Sequence, residues 1–370
     1  MKRKMKKKGI SIGGLIAAAL FQAVLLTGCG ETAPQRLSSV DMAMGTIVTQ
    51  TLYVLPGSEE GSAGETASGG GAGESAADEE TDRILQLLAD MEEQELSWRI
   101  PESEIAGINA QAQEAEAAVP LSASMQQLLS QIWQVSEDSG GALDVTVGKL
   151  SRLWNLDELT KAAEEISRTQ LPTAQQIEDA LADTGYDRVQ FSAGSISLPA
   201  GMQLDLGAVG KGIACDRISE YLQSQSRITG AVVAVGGSVV TYGQKPDGTP
   251  WTVAIMHPRE EGSYLGTLEL TGEYYISTSG DYERYILVDG VRYHHILDPA
   301  TGYPARSGLC SVTIVCDNGL LADALSTACF VLGAEQGLSL AERWGAEALL
   351  VEEDGRLYMT AGMEEIFTAR

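Results

Sequence analysis

The chain has 370 residues, 44% hydrophobic and 21% charged, which is enough apolar material for a sizeable core and excludes a disordered chain. Its 25 basic residues against 51 acidic ones give a formal charge of -26. That balance excludes a nucleic-acid partner, because a phosphate backbone would be repelled. Five cysteines without a C-x-x-C or Cys/His cluster exclude a disulfide-dense scaffold and a zinc site.

The first eight residues, MKRKMKKK, precede an apolar stretch, Ile10 to Leu26, and then Thr27-Gly28-Cys29. This is the layout of a bacterial secretory signal, and the cysteine after a small residue resembles the lipobox of bacterial lipoproteins. Residues 1–28 are therefore expected to be a signal peptide, Cys29 the lipidated residue and 29–39 a flexible tether. That places the domain on the extracytoplasmic face of a bacterial cell membrane, held by a lipid anchor. An uncleaved anchor is the weaker reading, because 17 apolar residues are at the short end for a span. Cleavage removes six basic residues and no acid, taking the charge from -26 to -32, so the tether and not charge must hold the protein at anionic lipid.

A strand-like run follows, Gly45 to Leu55. Residues 57–80, rich in Gly, Ser, Ala and Glu without hydrophobic periodicity, read as a disordered low-complexity loop inserted between that strand and the next helix. Helical spacing begins near Thr81, with Ile84, Leu87, Leu88, Met91 and Leu96, and a second helix is expected over Ser122 to Ser136. Past Leu171 the order is a helix started by Pro172 and Thr173, two strands, a glycine turn and a helix, with Leu204-Asp205-Leu206 a strand running into the turn. Five strand-rich runs follow, from Ala231 to Cys316. A helix, LLADALSTACFVLG, comes next, and the chain closes as helix, strand, strand. The class is α+β, with mixed, largely antiparallel sheets and flanking helices.

Three constellations can carry chemistry. In Asp205-Leu206-Gly207-Ala208-Val209-Gly210-Lys211-Gly212, a glycine turn opens a helix and aims backbone N–H groups and a lysine at whatever lies above it, which suits phosphate. It is not a P-loop, because Gly212 stands where Ser or Thr would be required. Asp323 and Thr327, four apart on a helix, share a face and offer a carboxylate and a hydroxyl to a hard ion such as magnesium; an N-terminal Asp complementing the helix dipole is the plainer alternative. Third, Thr278-Ser279-Gly280-Asp281-Tyr282 precedes His294-His295-Ile296-Leu297-Asp298-Pro299, which holds two of the chain's three histidines. Successive strand residues face opposite ways, so one histidine enters a site and the other packs. A buried histidine beside Asp298 or Asp323 is a candidate proton acceptor near neutral pH.

Taken in order, Met44-Gly45-Thr46, Ser97-Trp98 to Asn109, Ala142-Leu143-Asp144, Asp205 to Gly212, Gly236-Gly237, Thr278 to Tyr282, His295 to Pro299 and Asp323 to Thr327 resemble the FAD:protein FMN transferases, the ApbE-type flavin transferase family. The resemblance covers roughly Val40 to Phe367 and makes 40–370 one flavin transferase domain. It implies a magnesium-dependent enzyme that takes FAD as substrate and joins FMN through its phosphate to a Ser or Thr hydroxyl of an exported acceptor protein, releasing AMP. It further implies metal ligands at the Ala208 carbonyl, Asp323 and Thr327, and FAD contacts at Met44, Trp98, Ala142, Leu143, Asp144, Asp205, Lys211 and Ile296. His295 would be the proton acceptor, supported by Asp298. Lys149-Leu150 departs from the Pro-Leu that often follows the D-x-T-x-G turn in the family. Two alternatives share these residues: an FAD pyrophosphatase yielding free FMN and AMP, and a flavin-binding lipoprotein without chemistry.

Overall fold

A computed structural model describes residues 33–56, 75–114, 117–161 and 166–370. All belong to one compact unit, Ala33–Arg370. The expected signal peptide, Cys29 and most of the inserted loop, 57–74, lie outside the described residues.

The chain opens on a hairpin of β1 (Gln35–Ala43) and β2 (Thr46–Val54), then α1 (Ser75–Met91), α2 (Glu104–Glu114), β3 (Val119–Pro120) and α3 (Ala123–Asp138). Helices α4 (Gly148–Trp154), α5 (Leu156–Leu159) and α6 (Ala174–Leu181) precede the short strands β4 (Gln190–Ser192) and β5 (Ser195–Ser197). Then come α7 (Gly210–Ser224), β6 (Ile228–Val235), β7 (Ser238–Gly243), β8 (Trp251–Met256), β9 (Tyr264–Leu270), β10 (Tyr274–Gly280), β11 (Tyr285–Val288), β12 (Val291–His294) and β13 (Leu309–Cys316). The last elements are α8 (Gly319–Leu332), α9 (Ala334–Arg343), β14 (Glu347–Glu352), β15 (Leu357–Met359), α10 (Ala361–Ile366) and β16 (Phe367–Ala369).

An eight-stranded sheet, ordered β1-β2-β6-β7-β10-β13-β14-β15, forms the middle layer, and its strand pairs are antiparallel. Side-chain alternation sorts its two faces. Val233, Val240, Tyr275, Val312 and Leu350 belong to the main core, which also holds the buried faces of α1, α3, α7, α8 and α9. Their neighbours Val232, Val239, Ile276, Leu349 and Val351 pack in a second core under the three-stranded sheet β16-β9-β8. Strand β13 is buried along nearly its whole length, as expected for a strand covered on both faces. A third core joins α4, α5 and α6 to the β11–β12 hairpin through Leu150, Trp154, Ile177 and Ile286. The α+β class is as read.

Several boundaries differ from the sequence reading, each for a local reason. Strand β1 starts at Gln35, inside the expected tether, because it pairs residue for residue with β2 from Gln35↔Val54 to Ala43↔Thr46; its weak apolar content hid it. Helix α1 starts at Ser75, inside the expected loop. Leu204–Leu206 is not a strand. The Asn109 side-chain amide takes the place of a neighbouring strand, accepting from Leu204 N at 2.7 Å and donating to Leu204 O at 2.9 Å.

Candidate active site

The phosphate-type turn and the Asp/Thr helix meet because α7 and α8 touch backbone to backbone. A Cβ on Gly212 would lie 2.1 Å from the Gly319 carbonyl oxygen, and one on Gly319 would lie 2.3 Å from that of Gly212. Glycine after Lys211 is thus the price of helix contact, and the same contact lets Gly212 N donate to Asp323 Oδ2 at 2.9 Å. Asp216 on α7 strengthens the junction by accepting from the Gly319 and Leu320 amides at 2.6 and 2.8 Å, beside the Asn318 cap of α8. Burial raises the Asp216 carboxyl to about 6, against these hydrogen bonds.

Asp323 is buried, and its other oxygen accepts from Ser277 Oγ at 2.6 Å and stands 3.8 Å from Lys211 Nζ. One turn on, Thr327 hydrogen-bonds Ser279 at 3.3 Å. Asp323, Thr327 and Ala208 line one lobe of a cleft, a lobe of about 1070 Å³ that is partly open to solvent. Among the described residues no three His, Cys, Asp or Glu side chains cluster to hold a metal. One carboxylate with a hydroxyl and a carbonyl is a hard, all-oxygen set that leaves positions for phosphate and water, which fits magnesium.

Two lobes make up this cleft. The first takes Ala142, Leu143, Asp144, His295 and Ile296 from the loops around α4 and after β12. The second takes Met44, Trp98 and the Gly236–Gly237 turn. Both share Arg99, Asp205, Lys211, Thr278, Glu283 and Arg284. Every expected FAD contact and metal ligand therefore borders the cleft. Met44 reaches it from a two-residue hairpin turn in which Met44 and Gly45 have φ of 51° and 67°; a side chain held at positive φ is strained, a common mark of functional sites. Asp144 spends its carboxylate on Thr146 (2.8 and 2.6 Å) and the Tyr186 amide (3.0 Å), which fixes the loop presenting Ala142 and Leu143.

The two histidines separate. His294 is buried, with Nε2 3.0 Å from the Ala305 carbonyl oxygen and its ring edge-on to Phe330. His295 lines the cleft, and its Nδ1 lies 3.3 Å from the Arg284 carbonyl oxygen. A carbonyl only accepts, so Nδ1 carries the hydrogen and Nε2 keeps its lone pair. Burial, then the charges of Arg284 and Lys211, push the imidazole well below its ordinary pKa, leaving it a neutral acceptor. Asp298 does not support it. Its carboxylate accepts from Ala300 N at 2.9 Å and Thr301 Oγ1 at 3.0 Å, closing the 298–302 turn instead.

Sequence reasoning found Lys211 but missed the arginines. Arg99 and Arg152 sit 4.0 and 4.3 Å from the Trp98 ring centre, and Asp157 ties Arg99 to Arg284, the latter at 2.7 Å. In a chain this acidic, Arg99, Lys211 and Arg284 bring three cations to the cleft, each beside an acid, Asp157 for the arginines and Asp323 for the lysine, and guanidinium groups are suited to a diphosphate. The signal available was adjacency: Arg99 follows Trp98, and Arg284 closes the Thr278–Tyr282 run.

Oxygen donors and three cations thus border one cleft of an α+β fold. The sequence model of the ApbE family matches residues 44–350. The FAD:protein FMN transferase of Treponema pallidum is 35% identical over 305 residues, 78% of this chain and 80% of its own length, and that of Vibrio cholerae is 32% identical over 88% and 89%. Among solved structures, the ApbE protein of Thermotoga maritima superposes with a TM-score of 0.74 at 30% identity, over 90% of this chain and 100% of that one. The Pseudomonas stutzeri flavinyl transferase ApbE, in its apo form, gives 0.71 at 30% over 92% and 99%. The chain belongs to the ApbE family.

Proposed function

We infer that the chain is an FAD:protein FMN transferase, a transferase like its named relatives. The observation that carries this is the meeting, in one cleft, of the Asp323/Thr327/Ala208 oxygen set, three cations and a neutral histidine.

In this reading Trp98, Ala142, Leu143 and Ile296 pack the flavin and adenine parts of FAD, while Arg99, Lys211 and Arg284 offset the diphosphate charge. Magnesium held by Asp323, Thr327 and the Ala208 carbonyl would supply further charge neutralisation there. His295 Nε2 takes the proton of an acceptor Ser or Thr hydroxyl. The freed oxygen bonds the FMN phosphorus, the P–O bond to the AMP phosphate breaks, and AMP departs. The acceptor is an exported protein, since we also read residues 1–28 as a signal peptide and Cys29 as a lipid anchor on the extracytoplasmic face of the membrane.

The test is intact-mass analysis of an exported candidate acceptor incubated with FAD, magnesium and the chain from about Arg36, with AMP followed in parallel. Gain of one FMN per acceptor, abolished by chelation, supports the transferase. AMP without mass gain points to an FAD pyrophosphatase, and FAD retained without AMP to a binding protein. A diacylglyceryl mass on Cys29 in membrane fractions tests the anchor.

A further inference from the structure

Accepting the transfer reading, the second substrate is a polypeptide, and the fold offers it a defined track. The β8–β9–β16 sheet covers one face of the central sheet from β6 onward, where Val232, Val239 and Ile276 lie beneath it. It stops at Tyr53, whose ring is 6.0 Å from that of Trp251 on β8. Beyond this limit no described residue covers the same face of β1 and β2: Met42 pairs across to Ile47 and Val40 to Thr49, so these side chains share one side. Val40, Met42 and Ile47 are 72%, 69% and 55% exposed.

Among the described residues strand β8 is the edge of its own sheet, paired with β9 alone. Four consecutive residues, Val253 to Met256, border the second lobe of the cleft. Side chains alternate along a strand, so a run of four reaches a cavity only when the backbone edge itself faces it. Bare sheet floor and open strand edge together form a groove, and Met42, Ile47 and Met256 lie both on its surface and on the rim of the cleft.

We propose that the acceptor protein docks here as an extended segment added along the free edge of β8, over the apolar face of β1–β2. This delivers its Ser or Thr into the lobe that holds Lys211, Thr278 and Glu283. Backbone pairing along an edge supplies sequence-tolerant affinity, and alternate side chains on the apolar floor supply the preference: aliphatic residues on one side of the strand carrying the hydroxyl. Continuity of the groove with the reaction cleft is what selects a substrate over a passive partner.

The experiment uses the soluble chain with FAD, magnesium and the acceptor that gains FMN in the mass assay. Val40→Glu and Thr49→Glu alter exposed side chains of this floor that do not border the cleft, and leave FAD affinity in place. They should raise KM for the acceptor by about tenfold or more, as a charge buried against apolar contacts does, whereas Leu287→Glu, exposed on β11, should not. Hydrogen exchange should slow at β8 amides when acceptor is bound. An unchanged acceptor KM, or unprotected β8 amides, overturns the docking surface while leaving the transfer reading intact. Loss of self-association or of binding to anionic vesicles in the variants, with acceptor KM unchanged, overturns it in favour of a second copy or a membrane. Failure of the unmodified chain to transfer FMN to any acceptor removes both.

Discussion

Replacing Gly212 by alanine tests whether the α7–α8 contact builds the site. The new Cβ would meet the Gly319 carbonyl oxygen at 2.1 Å, its carbonyl carbon at 2.7 Å and Asp323 Cβ at 2.7 Å, all of it backbone or a buried side-chain root with little freedom to yield. Ordinary contact requires the helices to separate by about 1 Å, an overpacking cost of about 1–3 kcal/mol. Separation also weakens the Gly212 N to Asp323 bond, worth about 1–3 kcal/mol more for a charged acceptor left short of its donor. Alanine's helix propensity returns about 1 kcal/mol. The net loss is about 1–5 kcal/mol, to be read by urea unfolding, with FAD affinity by fluorescence in the same samples. Gly210→Ala is the matched control: it shares the first turn of α7, and its Cβ would meet only Met44 Cε at 3.9 Å, so it should be neutral or stabilising by up to about 1 kcal/mol. If the two variants unfold within about 0.5 kcal/mol of each other, the helix contact is not what Gly212 is for.

Asp323→Ala should abolish AMP release at any magnesium concentration; turnover at the parental rate would remove Asp323 from the metal set. His295→Ala should lower the transfer rate by about 100-fold or more with little change in FAD affinity, since a positioned base contributes on that scale. Because the His295 pKa is depressed, it is already neutral where a free histidine would be charged, so the acidic limb of the rate profile should fall below pH 6.5; a limb at or above that value refutes the assignment. Trp98→Ala removes the ring between Arg99 and Arg152 and should weaken FAD binding by about tenfold, seen as reduced quenching of flavin fluorescence. Asp216, raised from 3.8 to about 6, binds its proton more tightly folded than unfolded, so its contribution falls as pH rises from about 4 to 6. Asp216→Asn should therefore gain stability relative to the parent chain across that window, by less than about 3 kcal/mol because the side chain keeps some solvent contact; a constant difference between pH 4 and 7 contradicts it.

What was legible in the sequence follows from how each feature is encoded. Strands β6, β7, β10 and β13 are dense β-branched runs and could be placed. Strand β1 is held by its register to β2 and by a Ser38–Thr51 hydroxyl bond at 3.1 Å, neither of which leaves hydrophobic periodicity. The Leu204–Leu206 segment is extended but is no strand: Asn109, some 95 positions earlier, bonds both backbone groups of Leu204, and only a single bridge, Val147 to Gln203, joins it to the neighbouring backbone among the described residues. The metal and flavin candidates came from short motifs, each weak alone. Their convergence on one cleft depends on helix crossings and loop anchors that are long-range by nature.

Asp298 shows where motif reasoning stops. Beside a histidine, an acid suggests a catalytic pair, yet three residues on, Thr301 and the Ala300 amide consume the carboxylate locally, as Asp commonly does in turns. His295 gains its tautomer from the Arg284 carbonyl and its low pKa from burial and from the cations that also face the diphosphate. In the proposed reading one set of charges serves two ends: Lys211 and Arg284 attract the anionic substrate and at the same time keep the nearby imidazole free of its proton. An acid placed beside His295 would raise its pKa and so oppose the second effect.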